Sequence, residues 1–160
     1  MSKSKTGGMA PLFIFAGALV LLDQLTKYLL VQAIPLNTGI PVIPGFFNLV
    51  HVLNPGGAFS IFAASGPWRK YMFIALALIV VIAIAYAYGK VSKNDTWTRV
   101  AYICITGGAV GNLIDRIRLG EVIDFLDFYV GSWHWPVFNV ADTAISTGAV
   151  MLLISLIRNK

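Results

Sequence analysis

Four aspartates, Asp115, Asp124, Asp127 and Asp142, fall in one stretch of this 160-residue chain, with Glu121 among them; the whole sequence holds only seven acidic residues. Long apolar runs flank the stretch, and a carboxylate beside a bilayer is costly unless it is paired, hydrated or used. Two aspartates held close together cannot both ionise cheaply, so they share a proton. One member then takes a proton from water while the other gives one to a carbonyl oxygen, and the pair titrates as a unit. That chemistry needs no cofactor, and none is expected.

Physical argument leaves two candidate pairs open, Asp115 with Asp142 and Asp124 with Asp142. Asp142 opens the last apolar run, where a helix N-terminus favours negative charge, and capping is its alternative role. Asp115 falls at the end of the third run beside Arg116, which suggests compensation by that neighbour and a hydrogen-bonding role. Asp124 and Asp127 lie in Val-Ile-Asp-Phe-Leu-Asp-Phe (122–128), where strand alternation sends them to opposite faces.

Other chemistries are poorly supplied. His51 and His134 lie in separate segments with no Gly-x-Ser-x-Gly element, and Lys27, the candidate partner for a serine, already has Asp23 one helical turn away. Two histidines and the single Cys104 make a poor zinc set, so no metal is expected. Cys104 excludes an internal disulfide and reads as a small buried hydrophobe.

The elements that must position these groups are membrane helices. Hydrophobic residues make up 58% of the chain and charged residues 12%, with a mean hydropathy of +0.77; a soluble domain carries about a quarter charged residues. Four runs read as spanning helices, at about 11–31, 71–88, 99–114 and 140–157. The first carries no small-residue cleavage site and is read as a span whose Asp23 and Lys27 point inward. Gly107-x-x-x-Gly111 in the third allows close helix approach. Residues 33–67 contain no Lys, Arg, Asp or Glu but several prolines and glycines, and 46–54 are rich in β-formers. The expected fold is an all-α membrane protein, four transmembrane helices with a small extracytoplasmic β/loop subdomain at the membrane surface, in one domain.

Four spans place both termini on one side with Lys3, Lys5, Lys90, Lys93, Arg99, Arg158 and Lys160, against Arg69, Lys70, Arg116 and Arg118 on the other. The excess of positive charge predicts cytoplasmic termini, with segments 33–68 and 116–139 facing outward. The net charge of +5 is scattered rather than gathered in a basic stripe, so no nucleic-acid partner is expected.

Five motifs together resemble the lipoprotein signal peptidases (signal peptidase II): Asp-Gln-Leu-Thr-Lys (23–27), Asn-Pro-Gly-Gly-Ala-Phe (54–59), Gly-Asn-Leu-Ile-Asp-Arg (111–116), Val-Ile-Asp-Phe-Leu-Asp-Phe (122–128) and Phe-Asn-Val-Ala-Asp (138–142). They cover nearly the whole chain in family order, with Gly57 standing where alanine is commoner. The resemblance implies a bacterial inner-membrane aspartyl endopeptidase that cuts prolipoprotein signal peptides before the diacylglyceryl-modified cysteine. It implies a catalytic dyad of Asp124 and Asp142, with Asp23, Asn54, Asn112, Asp115, Arg116 and Asn139 in support. It also implies inhibition by globomycin-type cyclic peptides and membrane lipid as surroundings; a monomer is expected. Segment 33–67 is then expected to act as an interfacial clamp or lid. The rival readings are a small intramembrane ion or proton transporter and a non-enzymatic assembly factor. The roles of Lys27, Asp127, His51 and His134 stay open, with hydrogen bonding the plainer expectation for both histidines.

Overall fold

The computed structural model describes residues 7–56 and 68–158; Gly57, Ala58 and Phe59 of the second motif, and the rest of the segment up to Pro67, lie outside the described residues. Four helices, α1 (Ala10–Ala33), α2 (Trp68–Tyr88), α3 (Thr96–Arg118) and α4 (Val140–Arg158), are each long and apolar enough to cross a membrane. Four strands, β1 (Gly39–Ile43), β2 (Phe47–Asn54), β3 (Val122–Val130) and β4 (Trp133–His134), form one antiparallel sheet in the order β1-β2-β3-β4. The sheet joins the C-terminal ends of α1 and α3 to the N-terminal end of α4, so it caps one end of the bundle.

α3 is the central helix and packs against α1, α2 and α4. More than half of its spanning window is buried, whereas only 6% of that of α2 is. Its small residues explain the position. A side chain on Gly107 would meet Leu19 Cβ of α1 at 2.8 Å, and one on Gly108 would meet Ile145 Cγ1 of α4 at 2.7 Å as well as the Ala141 carbonyl. The pair Gly107 and Gly108 therefore serves two neighbours, the close approach that small residues permit between membrane helices. Large apolar side chains such as Phe13, Ile79, Ile82 and Leu156 stay more than 60% exposed, as lipid-facing residues do when the hydrocarbon is their solvent.

α3 begins before Arg99 and continues through Arg118, beyond the apolar run that ends near Ile114, so Asp115 and Arg116 belong to its last turn. Gly120, at φ +86°, makes the sharp exit into β3 that a residue with a Cβ resists. β3 then runs back along β2, pairing Leu53 with Ile123 and Val52 with Asp124. Leu30, Ile34, Ile123 and Phe125 form the small core that fixes the sheet on the end of α1.

Candidate active site

Asp23 and Lys27 face the bundle interior from α1, one turn apart, both nearly inaccessible to solvent. Lys27 Nζ lies 2.8 Å from Asp23 Oδ2, 2.7 Å from Asp115 Oδ2 and 3.0 Å from Asn112 Oδ1. Its three protons are thus all placed, which is what a buried ammonium requires. Gln24 Nε2 adds donations to Asp115 Oδ1 at 2.9 Å and to Asp23 Oδ2 at 3.2 Å. Asp23 Oδ1 accepts from the Ala141 amide in the first turn of α4. Gly111 leaves the room, because a Cβ there would sit 2.7 Å from Asp23 Oδ2.

Arg116 feels the charge of Asp115, as expected, but the close partner of Asp115 is Lys27. Consecutive helical residues project in different directions, and Asp115 turns inward to Lys27 while Arg116 turns to a cleft, its guanidinium 5.1 Å from the Phe73 ring.

The orientation of Asn112 follows from Lys27. An ammonium can only donate, so the amide oxygen must face it, and Asn112 Nδ2 is left to donate to Asp142 Oδ1 at 2.7 Å. Asn139 is oriented by the same logic. It is fully buried and its Oδ1 accepts from the Asp142 amide at 2.9 Å, while Asp142 Oδ2 accepts from the Asn139 amide at 3.2 Å. This reciprocal pair is a capping box at the start of α4. Asn139 Nδ2 is then directed to Asp124 Oδ1 at 2.7 Å, with further bonds to Asn112 Oδ1 and the Ile123 carbonyl. Asn54 Nδ2, from the end of β2, donates to Asp124 Oδ2 at 2.8 Å. Capping and proximity to Asp124 are therefore compatible for Asp142, because the cap occupies one of its oxygens and Asn112 addresses the other.

Two carboxylates bridged by one asparagine feel each other. Burial foremost, and then the charge of Asp142, push the Asp124 carboxyl up to about 7 against the opposing hydrogen bonds of Asn54 and Asn139. A pair that retains a proton near neutral pH can act as acid and base together. Arg116 lies within electrostatic reach of Asp142, Asp124 and Asp115. Asp142 also borders two clefts. One, about 260 Å³, runs between α2, α3 and α4 along Phe73, Leu76, Ala109 and Ile145 and contains Arg116. The other, about 310 Å³, is walled by Trp135, Phe138, Thr143 and Thr147.

Asp127, three residues along β3, faces elsewhere, as strand alternation predicts. It is buried with Asn48 Nδ2 at 2.8 Å and His134 Nδ1 at 2.7 Å, and the His134 ring stacks on Tyr129. His51 Nδ1 donates to the Ile34 carbonyl. Both histidines make structural hydrogen bonds. Nothing in the sequence marks Gln24 as a partner of Asp115, and the one signal for Lys27 is its four-residue spacing from Asp23. Among the described residues no group of histidines, cysteines and carboxylates has the arrangement of a metal site.

A bundle of four helices able to span a membrane that buries two aspartates linked through one asparagine, beside open clefts, has the make-up of a membrane aspartic endopeptidase. Residues 15–158 match the family model for signal peptidase (SPase) II, and the chain belongs to that family. It is 44% identical to the lipoprotein signal peptidase of Desulforapulum autotrophicum across 97% of this chain and 96% of that one, and 42% identical to that of Paraburkholderia phymatum across 99% and 94%. A solved bacterial membrane enzyme, determined at 1.9 Å by the in meso method, superposes with a TM-score of 0.84 at 30% identity over 99% of both chains.

Proposed function

We propose that Asp124 and Asp142 are the catalytic dyad of a lipoprotein signal peptidase, and that this chain removes the signal peptide from diacylglyceryl-modified prolipoproteins by cutting before the lipidated cysteine. The observation that carries the site assignment is Asn139, which binds Asp124 through its side chain and Asp142 through its backbone and thereby fixes the two carboxyls relative to each other. Asp115, the rival partner, is committed to Lys27, Gln24 and the Ile123 amide, and its charge is already compensated.

In the reaction the ionised member of the pair takes a proton from water as the oxygen attacks the scissile carbonyl. The protonated member gives its proton to the carbonyl oxygen, producing a neutral gem-diol. Collapse of that diol breaks the C–N bond, with a proton passing to the leaving amine and the pair returned to its single-proton state. Asn54, Asn112 and Asn139 hold the two carboxyls, and Asp23 and Asp115 fix Lys27 behind Asn112. Arg116 supplies positive charge at the cleft beside Asp142. The apolar cleft between α2, α3 and α4 suits the membrane-embedded part of the substrate, which never needs to leave the bilayer.

The sheet end of the bundle, with the dyad, faces the extracytoplasmic side, and both termini are cytoplasmic. The distribution of Lys and Arg supports that orientation in a bacterial inner membrane. The chain acts as a monomer, since every group assigned to the site comes from one bundle. Globomycin-type cyclic peptides occupy the clefts at Asp142 and block the dyad. Purified protein incubated with a diacylglyceryl-modified prolipoprotein should release the signal peptide, visible as a mobility change on a gel. Cleavage at an equal rate of the same precursor without lipid on its cysteine would overturn the substrate assignment.

A further inference from the structure

A cavity of about 280 Å³ opens between α1, β2 and the turn that follows α3, and it shares no lining residue with the clefts at Asp142. Its mouth is exposed and mainly apolar, with Tyr28, Leu36 and Leu119 beside the Arg118 side chain; its floor includes His51 and Asp115. His51 is 7% exposed, and its Nδ1 lies 2.9 Å from the Ile34 carbonyl. A carbonyl only accepts, so Nδ1 carries the proton and Nε2 presents a lone pair. No described residue donates to that lone pair. That acceptor opens to the cavity, where a donor from outside the protein can reach it. Arg118, at the mouth, forms no ion pair with any described carboxylate, and all seven acidic side chains of the chain are described.

The cavity thus offers an acceptor at its floor and a cation at its mouth. Beyond the mouth lies the lipid-facing side of α1, with Leu25 and Leu29 more than half exposed. We propose that this cavity binds a glycerophospholipid of the bilayer whose headgroup carries hydrogen-bond donors, its phosphate on Arg118, its headgroup reaching His51 and its acyl chains lying along α1. The charge complementarity at the mouth selects the phosphate, and the acceptor at the floor selects against headgroups without donors. The site goes beyond the peptide-cutting reaction, and its floor shares Lys27 and Asp115 with the network behind Asn112.

The test is native mass spectrometry of the full-length protein released from nanodiscs that contain equal amounts of phosphatidylglycerol and phosphatidylcholine with identical chains. Preferential retention of one phosphatidylglycerol is expected, and Arg118→Gln should weaken it about tenfold, as loss of a charge-assisted hydrogen bond does. Leu119→Trp, at an exposed position in the mouth, should also displace the lipid while leaving the far-UV circular dichroism unchanged. Equal retention of the two lipids, or retention undiminished in both variants, would overturn the proposal. Saturable binding of soluble glycerol 1-phosphate as tight as that of the lipid would also overturn it, because the acyl chains would then contribute nothing.

Discussion

Replacing Asn139 by serine separates the two tasks of this residue. Serine is a good N-cap, so its Oγ can still accept from the Asp142 amide and α4 keeps its start. The shorter side chain removes Nδ2, and with it the 2.7 Å donation to Asp124 Oδ1 and the weaker ones to Asn112 Oδ1 and the Ile123 carbonyl. That donation favours the ionised carboxylate, so its loss raises the Asp124 carboxyl further above its position of about 7. A hydrogen bond to a charged group contributes about 1.5–3 kcal/mol, and each pH unit corresponds to about 1.4 kcal/mol. The alkaline limb of the pH–rate profile, set by loss of the shared proton, should therefore move from about pH 7 to about pH 8 or 9. The rate on its plateau should fall at least about tenfold, because Asp124 loses one of the two groups that hold it. Initial rates of prolipoprotein cleavage between pH 6 and pH 10 measure both effects. A limb that stays in place, or moves to lower pH, with the plateau reduced would show that Asn139 acts on stability alone and does not tune Asp124.

Lys27→Met should cost about 3–5 kcal/mol of stability, because it strands two buried carboxylates, and Lys27→Met combined with Asp115→Asn should recover part of the lost melting temperature in detergent. Gly108→Val should lower the melting temperature sharply by prising α4 from α3, whereas Gly17→Ala, with nothing within 4 Å of its Cβ position, should leave it unchanged. The native state binds the Asp124 proton more tightly than the unfolded chain, whose carboxyl titrates at 3.8, so the contribution of this group to stability is fully present below that pH and is lost as pH rises to about 7. The loss is at most about 4 kcal/mol, and melts between pH 4 and pH 8 should show a decline that Asp124→Asn removes. His134→Phe leaves Asp127 with Asn48 alone and should reduce stability by about 1 kcal/mol, with cleavage unaffected.

Periodicity and composition carried the helices because a lipid-facing surface leaves little room for anything but apolar residues, and the charge-free β-rich segment marked the sheet. The inward direction of Asp23 and Lys27 was legible from their spacing on one helical face. The partner of Lys27 was not, since Asp115 lies far along the chain and only the packing of α1 on α3 through Gly107 and Gly111 brings it near. The choice between Asp115 and Asp124 was open for the same reason. It depends on which carboxylate the Lys27 network consumes, and residue type says nothing about that. Asp127 illustrates the opposite case, where strand alternation alone predicted that it would face away from the partners of Asp124. In the sequence the capping role is weighed for Asp142; that Asn139 accepts from the Asp142 amide and also holds Asp124 becomes visible only when β3 delivers Asp124 to its side chain.

Cleavage of a diacylglyceryl-modified prolipoprotein by Asp124→Asn, Asp142→Asn and Asp115→Asn, each matched for fold by its melt, tests the dyad most directly. Turnover should disappear in the first two with the bundle intact, and Asp115→Asn should lose stability alongside its activity. Full turnover in Asp124→Asn, with loss confined to Asp115→Asn and Asp142→Asn at unchanged melting temperature, would make Asp115 and Asp142 the dyad instead.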